Sequence, residues 1–133
     1  MKNKTSHKSE KQIFSLVKRG ESFRHALNGI RIFIKTTHNA WIHGFFAVLA
    51  IYFGFYFHIS TTEWLFIVLT IGLVLMAEAF NTALEFDMDL TSPQFHPYAQ
   101  YTKDIAAGAV LIMSFIALII GLIIFLPKLL RCL

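Results

Sequence analysis

Glu78, Asn81, Glu85 and Asp89 are the residues of this chain best suited to chemistry, and their spacing limits what that chemistry is. Successive intervals of 3, 4 and 4 residues, at about 100° per residue, place the four side chains on one arc of roughly 80° if the segment is helical. The result is a polar stripe, with Thr82 at its border and Asp87 on about the opposite side. Like charges this close repel, and burial disfavours the ionised form, so the stripe calls for a cation, shared protons or water. Carboxylate and amide oxygens with water suit Mg²⁺, which takes few protein ligands and often bridges to nucleotide phosphates. An ion or proton path would use the same side chains, and so would polar glue between helices. Spacing leaves all three open. No GxxxxGK or GxGxxG phosphate loop occurs among the seven glycines, which excludes a kinase site of the soluble type.

The stripe must be carried by a helix that begins in apolar sequence. WLFIVLTIGLVLMA, directly before it, reaches membrane-spanning length only by including Glu78, Asn81 and Glu85, which places polar groups near membrane depth. Two further segments read as spans. WIHGFFAVLAIYFGFYF (41–57) is interrupted only by His43, and IAAGAVLIMSFIALIIGLIIFL (105–126) has no charge. The latter matches the roughly 20 apolar residues that cross a hydrocarbon core of about 30 Å. Before the first span, Phe23, Ala26, Leu27, Ile30, Phe33 and Ile34 recur at helical spacing among Arg24, His25, Asn28 and Arg31, the pattern of a basic amphipathic helix on a membrane surface. Ser60 to Glu63 reads as a capping box that starts the second span, Ser92-Pro93 punctuates the following loop, and Thr102 or Asp104 would cap the third span.

These readings predict an all-α integral membrane protein of three transmembrane helices preceded by an amphipathic surface helix. The expected layout is a disordered basic N-terminus over 1–12 and one domain over 13–133. Within that domain lie the surface helix at about 13–36, spans at about 40–57, 62–85 and 104–127, and a cytoplasmic loop at about 86–103. Composition agrees: 56% of residues are hydrophobic and mean hydropathy is +0.58, well above a soluble domain. No secretory signal is visible at the polar start, and the single Cys132 excludes an internal disulfide. Of the 12 Lys and Arg residues, nine precede Trp41, Lys103 lies in the second loop, and Lys128 and Arg131 follow the last span. The positive-inside rule then predicts a cytoplasmic N-terminus and a stripe facing the side that holds ATP.

The pattern ExxNTALExxxD (Glu78 to Asp89), with His96-Pro97 and KDIAAGAV (103–110), resembles the prokaryotic diacylglycerol kinase and undecaprenol kinase family. Upstream, FRHALNGIRIFIKTTHNAWIH (23–43), with Asn39 and His43 spaced as N-x-x-x-H, looks like that family's surface helix and entry to its first span. The resemblance implies a kinase of the bacterial inner membrane that transfers the γ-phosphoryl of MgATP to the hydroxyl of a membrane lipid alcohol, undecaprenol or diacylglycerol. It also implies a homotrimer with sites between subunits, and no nucleic-acid partner. Residue by residue it implies Glu78 as general base, Glu85 as metal ligand and nucleotide contact, Lys103 and Asp104 as nucleotide contacts, and Asn81 as a polar partner. Lys18 is added as a candidate nucleotide contact on charge grounds. Asn39, His43 and Asp89 are candidates for substrate or supporting contacts.

The sequence departs from the family pattern at one position. Where members usually carry a Glu two residues before the Asn of N-x-x-x-H, as a second metal ligand, this chain has Thr37. A Thr hydroxyl ligates Mg²⁺ in phosphate-loop proteins, but it is neutral. The change predicts weaker metal binding, compensation by Asp104 or Glu21, or altered activity. A catalytically weak assembly subunit and a small cation or proton transporter are the alternative expectations.

Overall fold

A computed structural model describes residues 16–132 as four helices: α1 (Leu16–Thr36), α2 (His38–Tyr56), α3 (Thr61–Thr91) and α4 (Pro97–Cys132). The described residues contain no strand, as the all-α expectation requires. The segment expected to be disordered, 1–12, and the expected helix start at 13 lie outside the described residues. The chain divides into two compact units, Met1–Arg31 and Ile32–Leu133. Over its described residues the first unit is helix, and its Phe23, Leu27 and Ile30 are exposed, as suits a helix that buries an apolar face in a membrane surface.

In the second unit α2, α3 and α4 are each long and apolar enough to cross a membrane. At 1.5 Å per residue, the 31 residues of α3 extend about 46 Å and the 36 of α4 about 54 Å. Both exceed a hydrocarbon core of about 30 Å, so each reaches well beyond it. The loop expected over 86–103 is therefore mostly helix, and only residues 92–96 connect α3 to α4. The reason is local. From Glu78 to Leu90 the sequence holds good helix formers and no Gly or Pro, so nothing stops α3 until Ser92-Pro93.

The start of α4 also differs from expectation. Pro97 occupies its first position, where a missing N–H costs nothing. The carbonyl of His96 accepts from the amide of Gln100 (3.1 Å) and its Nδ1 from the amide of Tyr98 (3.3 Å), so His96 caps the helix. Thr102 lies inside it, with its hydroxyl donating to Tyr98 O, and Asp104 is a further half turn along.

The turn between α2 and α3 is tightly determined. The amide of Ile59 donates to Gly54 O (3.1 Å) and that of His58 to Phe55 O (3.2 Å), with His58 at φ 47°. This is a Schellman ending in which a histidine holds the left-handed position that glycine usually takes. A Cβ at Gly54 would lie 2.7 Å from the Trp64 ring, so glycine is required for α2 to approach the start of α3. Ser60 and Glu63 form the expected capping box (2.7 and 3.3 Å). Glu63 also accepts from Lys128 of α4 at 2.5 Å, tying the ends of α3 and α4 together. Beside this ion pair sits the apolar core of Ile59, Ile67 and Ile124, flanked by Trp64 and Phe125.

Candidate active site

The buried face of α3 runs Ile67, Thr70, Val74, Glu78, Asn81 and Thr82. The intervals are those of one helix face, so the stripe continues the face that is apolar core at the other end. This explains how a carboxylate enters the interior: the helix keeps its packing face and changes its chemistry. Burial falls steadily along it. Glu78 is 1% exposed and Asn81 6%, Glu85 is half-buried, and Asp89 is open to solvent. Asp87 is exposed.

Glu78 is fully enclosed, and neither carboxylate oxygen has a hydrogen-bond partner. Its nearest charged or chargeable neighbour is His43 of α2, whose Nε2 lies 4.0 Å from Oε2. Asn81 Oδ1 is also buried without a partner, while Asn81 Nδ2 donates to Glu85 Oε1 at 3.1 Å. A carboxylate only accepts, so the amide nitrogen must face it and the amide oxygen is left open. Three acceptor atoms on adjacent turns thus lack donors. Buried oxygens without protein partners are rare and costly in native proteins, and these three are free to accept from a donor or a cation.

Thr37 precedes α2 but does not cap it. Its hydroxyl reaches instead to Thr82 Oγ1 at 3.0 Å, and Thr82 Oγ1 donates to the main-chain oxygen of Glu78 at 3.0 Å. Thr82 spends its proton there, so Thr37 is the donor of the pair. The structure thereby joins Thr37 to the stripe through Thr82, a link that sequence spacing did not identify. Only the Thr82 half of the link has a sequence signal, the four-residue interval from Glu78 that lets the Thr hydroxyl return to the Glu carbonyl.

Lys103 of α4 pairs with Asp89, so two of the expected site residues meet across the connection. Asp104 Oδ1 accepts from Gln100 Nε2 at 2.7 Å. A smaller cavity of about 200 Å³ lies here, bordered by Asp89, Ser92, His96, Gln100 and Lys103. Asn39 is exposed in the first turn of α2. The side chain of Lys18 lies outside those described. Among the described residues no three His, Cys, Asp or Glu side chains converge as a metal cage. The donors present are hard oxygens: one half-buried carboxylate, Glu85, beside the open amide oxygen of Asn81. That set fits a cation that keeps waters and phosphate oxygens as its remaining ligands, as Mg²⁺ does.

A larger cavity of about 490 Å³ opens between α2, α3 and α4 with an almost wholly apolar lining. His43 and Val74 border it towards Glu78, and Phe53 and Phe125 towards the other end. Small residues, Ala47, Ala50, Ala117 and Gly121, leave the space.

Three helices able to cross a membrane, an enclosed and partnerless carboxyl on a polar stripe, and an apolar cavity near it make this a multi-pass membrane protein by fold, with a site whose chemistry its relatives identify. Residues 24–125 match the family described as prokaryotic diacylglycerol kinase. The chain belongs to that family, and it is a lipid kinase. It is 43% identical over 109 residues to the undecaprenol kinase of Bacillus subtilis, covering 82% of this chain and 89% of that protein. It is 40% identical over 110 residues to the diacylglycerol kinase of a Synechocystis species, covering 82% of this chain but 63% of that longer protein.

Proposed function

We propose that this protein phosphorylates the terminal hydroxyl of a polyprenol, undecaprenol in the first instance, using MgATP at the cytoplasmic surface of the bacterial inner membrane. Diacylglycerol is the second candidate acceptor. The observation that carries the reading is Glu78, enclosed at 1% exposure with both oxygens unpartnered, beside a cavity that suits an apolar chain. A long lipid alcohol lying in that cavity brings its hydroxyl to Glu78.

In this mechanism Glu78 takes the proton of the acceptor hydroxyl, and the oxygen so freed attacks the γ-phosphorus. The bond from the γ-phosphorus to the bridging oxygen of the β-phosphate breaks, and ADP leaves with that oxygen. A base in hydrogen-bond reach of the proton it removes is the first requirement of such a step. Phosphoryl transfer is otherwise mostly positioning and charge neutralisation. Glu85 and Asn81 Oδ1 would hold Mg²⁺, with Thr37 close by through Thr82. The ion would neutralise the β and γ phosphates when bound. Lys103 and Asp104 would face the nucleotide. A homotrimer would close the site, since α2 and α4 leave most of their apolar surface uncovered in one copy.

Transfer of label from γ-³²P-ATP in mixed micelles offering either alcohol tests this. Wild type should label undecaprenol better than diacylglycerol, and Glu78→Gln should reduce kcat by about 10²- to 10⁴-fold, the usual contribution of a general base. Equal rates for wild type and Glu78→Gln would remove Glu78 from the chemistry. Ion flux in liposomes without lipid labelling would instead favour transport. If Thr37 stands at the metal, Thr37→Glu should lower the Mg²⁺ concentration needed for half-maximal rate; an unchanged requirement places the metal elsewhere.

A further inference from the structure

We infer that His43 is the positioning residue for Glu78: its Nε2–H donates to one carboxylate oxygen, leaving the other aimed at the acceptor hydroxyl. The inference rests on the lipid-kinase reading with Glu78 as base. It starts from a requirement. A base must hold one oxygen on the line to the proton it removes, and a carboxylate on a flexible side chain with both oxygens unpartnered has nothing to hold it there.

The polar groups around Glu78 are otherwise committed. Thr82 Oγ1 donates to the main-chain oxygen of Glu78 rather than its carboxylate, and Thr37 donates to Thr82. Asn81 turns its amide nitrogen to Glu85. One turn and two turns back along α3, Val74 is apolar and Thr70 donates to Phe66 O. From another helix, His43 of α2 brings a ring nitrogen towards the carboxylate, with Nε2 at 4.0 Å from Oε2. That is roughly 1 Å beyond a normal N–H···O contact, a gap of the size that closes when a catalytic site fills.

The placement also explains why this residue is a histidine. His43 is the single strongly polar interruption in α2 between Trp41 and Phe57, and it lines the apolar cavity while also neighbouring Glu78. A neutral imidazole offers one directed N–H without adding a permanent charge beside an apolar chain. Lysine or arginine there would bring a fixed cation into the lipid path.

The test uses the full-length protein in mixed micelles, with kcat and KM for ATP and for undecaprenol measured for His43→Leu and His43→Gln. Glutamine keeps an N–H donor at comparable reach. His43→Leu should lower kcat about tenfold to a hundredfold with both KM values within about twofold, and His43→Gln should recover most of the loss. In a Glu78→Gln background His43→Leu should cost nothing further, because there is no base left to orient. In protein labelled with ¹⁵N-histidine, Glu78→Gln should shift the His43 Nε2 resonance. A KM effect on undecaprenol with unchanged kcat would make His43 a lipid contact, and equal losses in Leu and Gln would make it a packing residue; either overturns the inference. So does an Nε2 resonance indifferent to Glu78. A wild type that labels neither alcohol overturns the kinase reading, and the NMR arm then still decides whether the two side chains interact.

Discussion

Lys103 is expected at the nucleotide and Asp89 among the substrate or supporting contacts, and in this structure they hold each other. The pair costs the enzyme little to open. Asp89 is 67% exposed and Lys103 33%, and ion pairs this exposed contribute about 0.2–1 kcal/mol. If Lys103 meets the nucleotide, an incoming triphosphate would offer it several anionic oxygens in exchange for one carboxylate, so the pair would hold the lysine without trapping it. Asp89→Asn should therefore change KM for MgATP by less than about fivefold, the equivalent of 1 kcal/mol. Lys103→Met should affect turnover far more strongly. Steady-state kinetics of the two variants separate the roles, and a larger effect from Asp89→Asn would give the aspartate direct work on the nucleotide.

At the scale of elements, the α2–α3 turn is where sequence and backbone disagree most. His58 at φ 47° occupies a conformation that costs an L-residue roughly 1 kcal/mol or more and glycine almost nothing. His58→Gly should stabilise the protein by about 0.5–1 kcal/mol, less the extra freedom glycine gives the unfolded chain. Ser60→Ala, which removes half of the capping box, should destabilise it by about 1 kcal/mol. Unfolding in mixed detergent reads both.

The same region shows what could be read in advance. Ser60 and Glu63 announced the start of α3 because capping is local chemistry. The stripe was legible for the same reason: Glu78, Asn81, Glu85 and Asp89 share a face through helix geometry alone. The start of α4 was misplaced because Thr102 and Asp104 are plausible caps, while the decisive signal was Pro97 behind a His. The meeting of Thr37 with Thr82, 45 residues apart, and of His43 with Glu78 could not be read from spacing. They depend on how α2 lies against α3, which is set by side-chain packing and the approach at Gly54.

For the whole molecule the arrangement is polar at one end of the α3–α4 pair and tied by Glu63 and Lys128 at the other. The charge distribution predicts which end is cytoplasmic, and Cys132, the single cysteine of the sequence and exposed, makes the prediction easy to check. A membrane-impermeant maleimide should label Cys132 in intact spheroplasts. In a Cys132→Ser background, Ser92→Cys should be labelled only after permeabilisation. The opposite pattern would invert the protein and move the stripe away from cytoplasmic ATP. Exposed apolar side chains along α2 and α4, Phe45, Val48, Leu111 and Ile123 among them, leave lipid or further copies of the chain to cover them.

The isolation of Glu78 has a consequence for how such a protein evolves. A buried carboxylate without partners is a standing penalty on the fold, and replacing it with an apolar side chain of similar size removes that penalty, worth about 1–3 kcal/mol. Glu78→Met should raise the thermal midpoint in detergent while phosphoryl transfer disappears. If Glu78 is the base, selection for a sturdier fold alone would erase it, and a mutational scan read by stability would mark the site as the place where damage improves the protein.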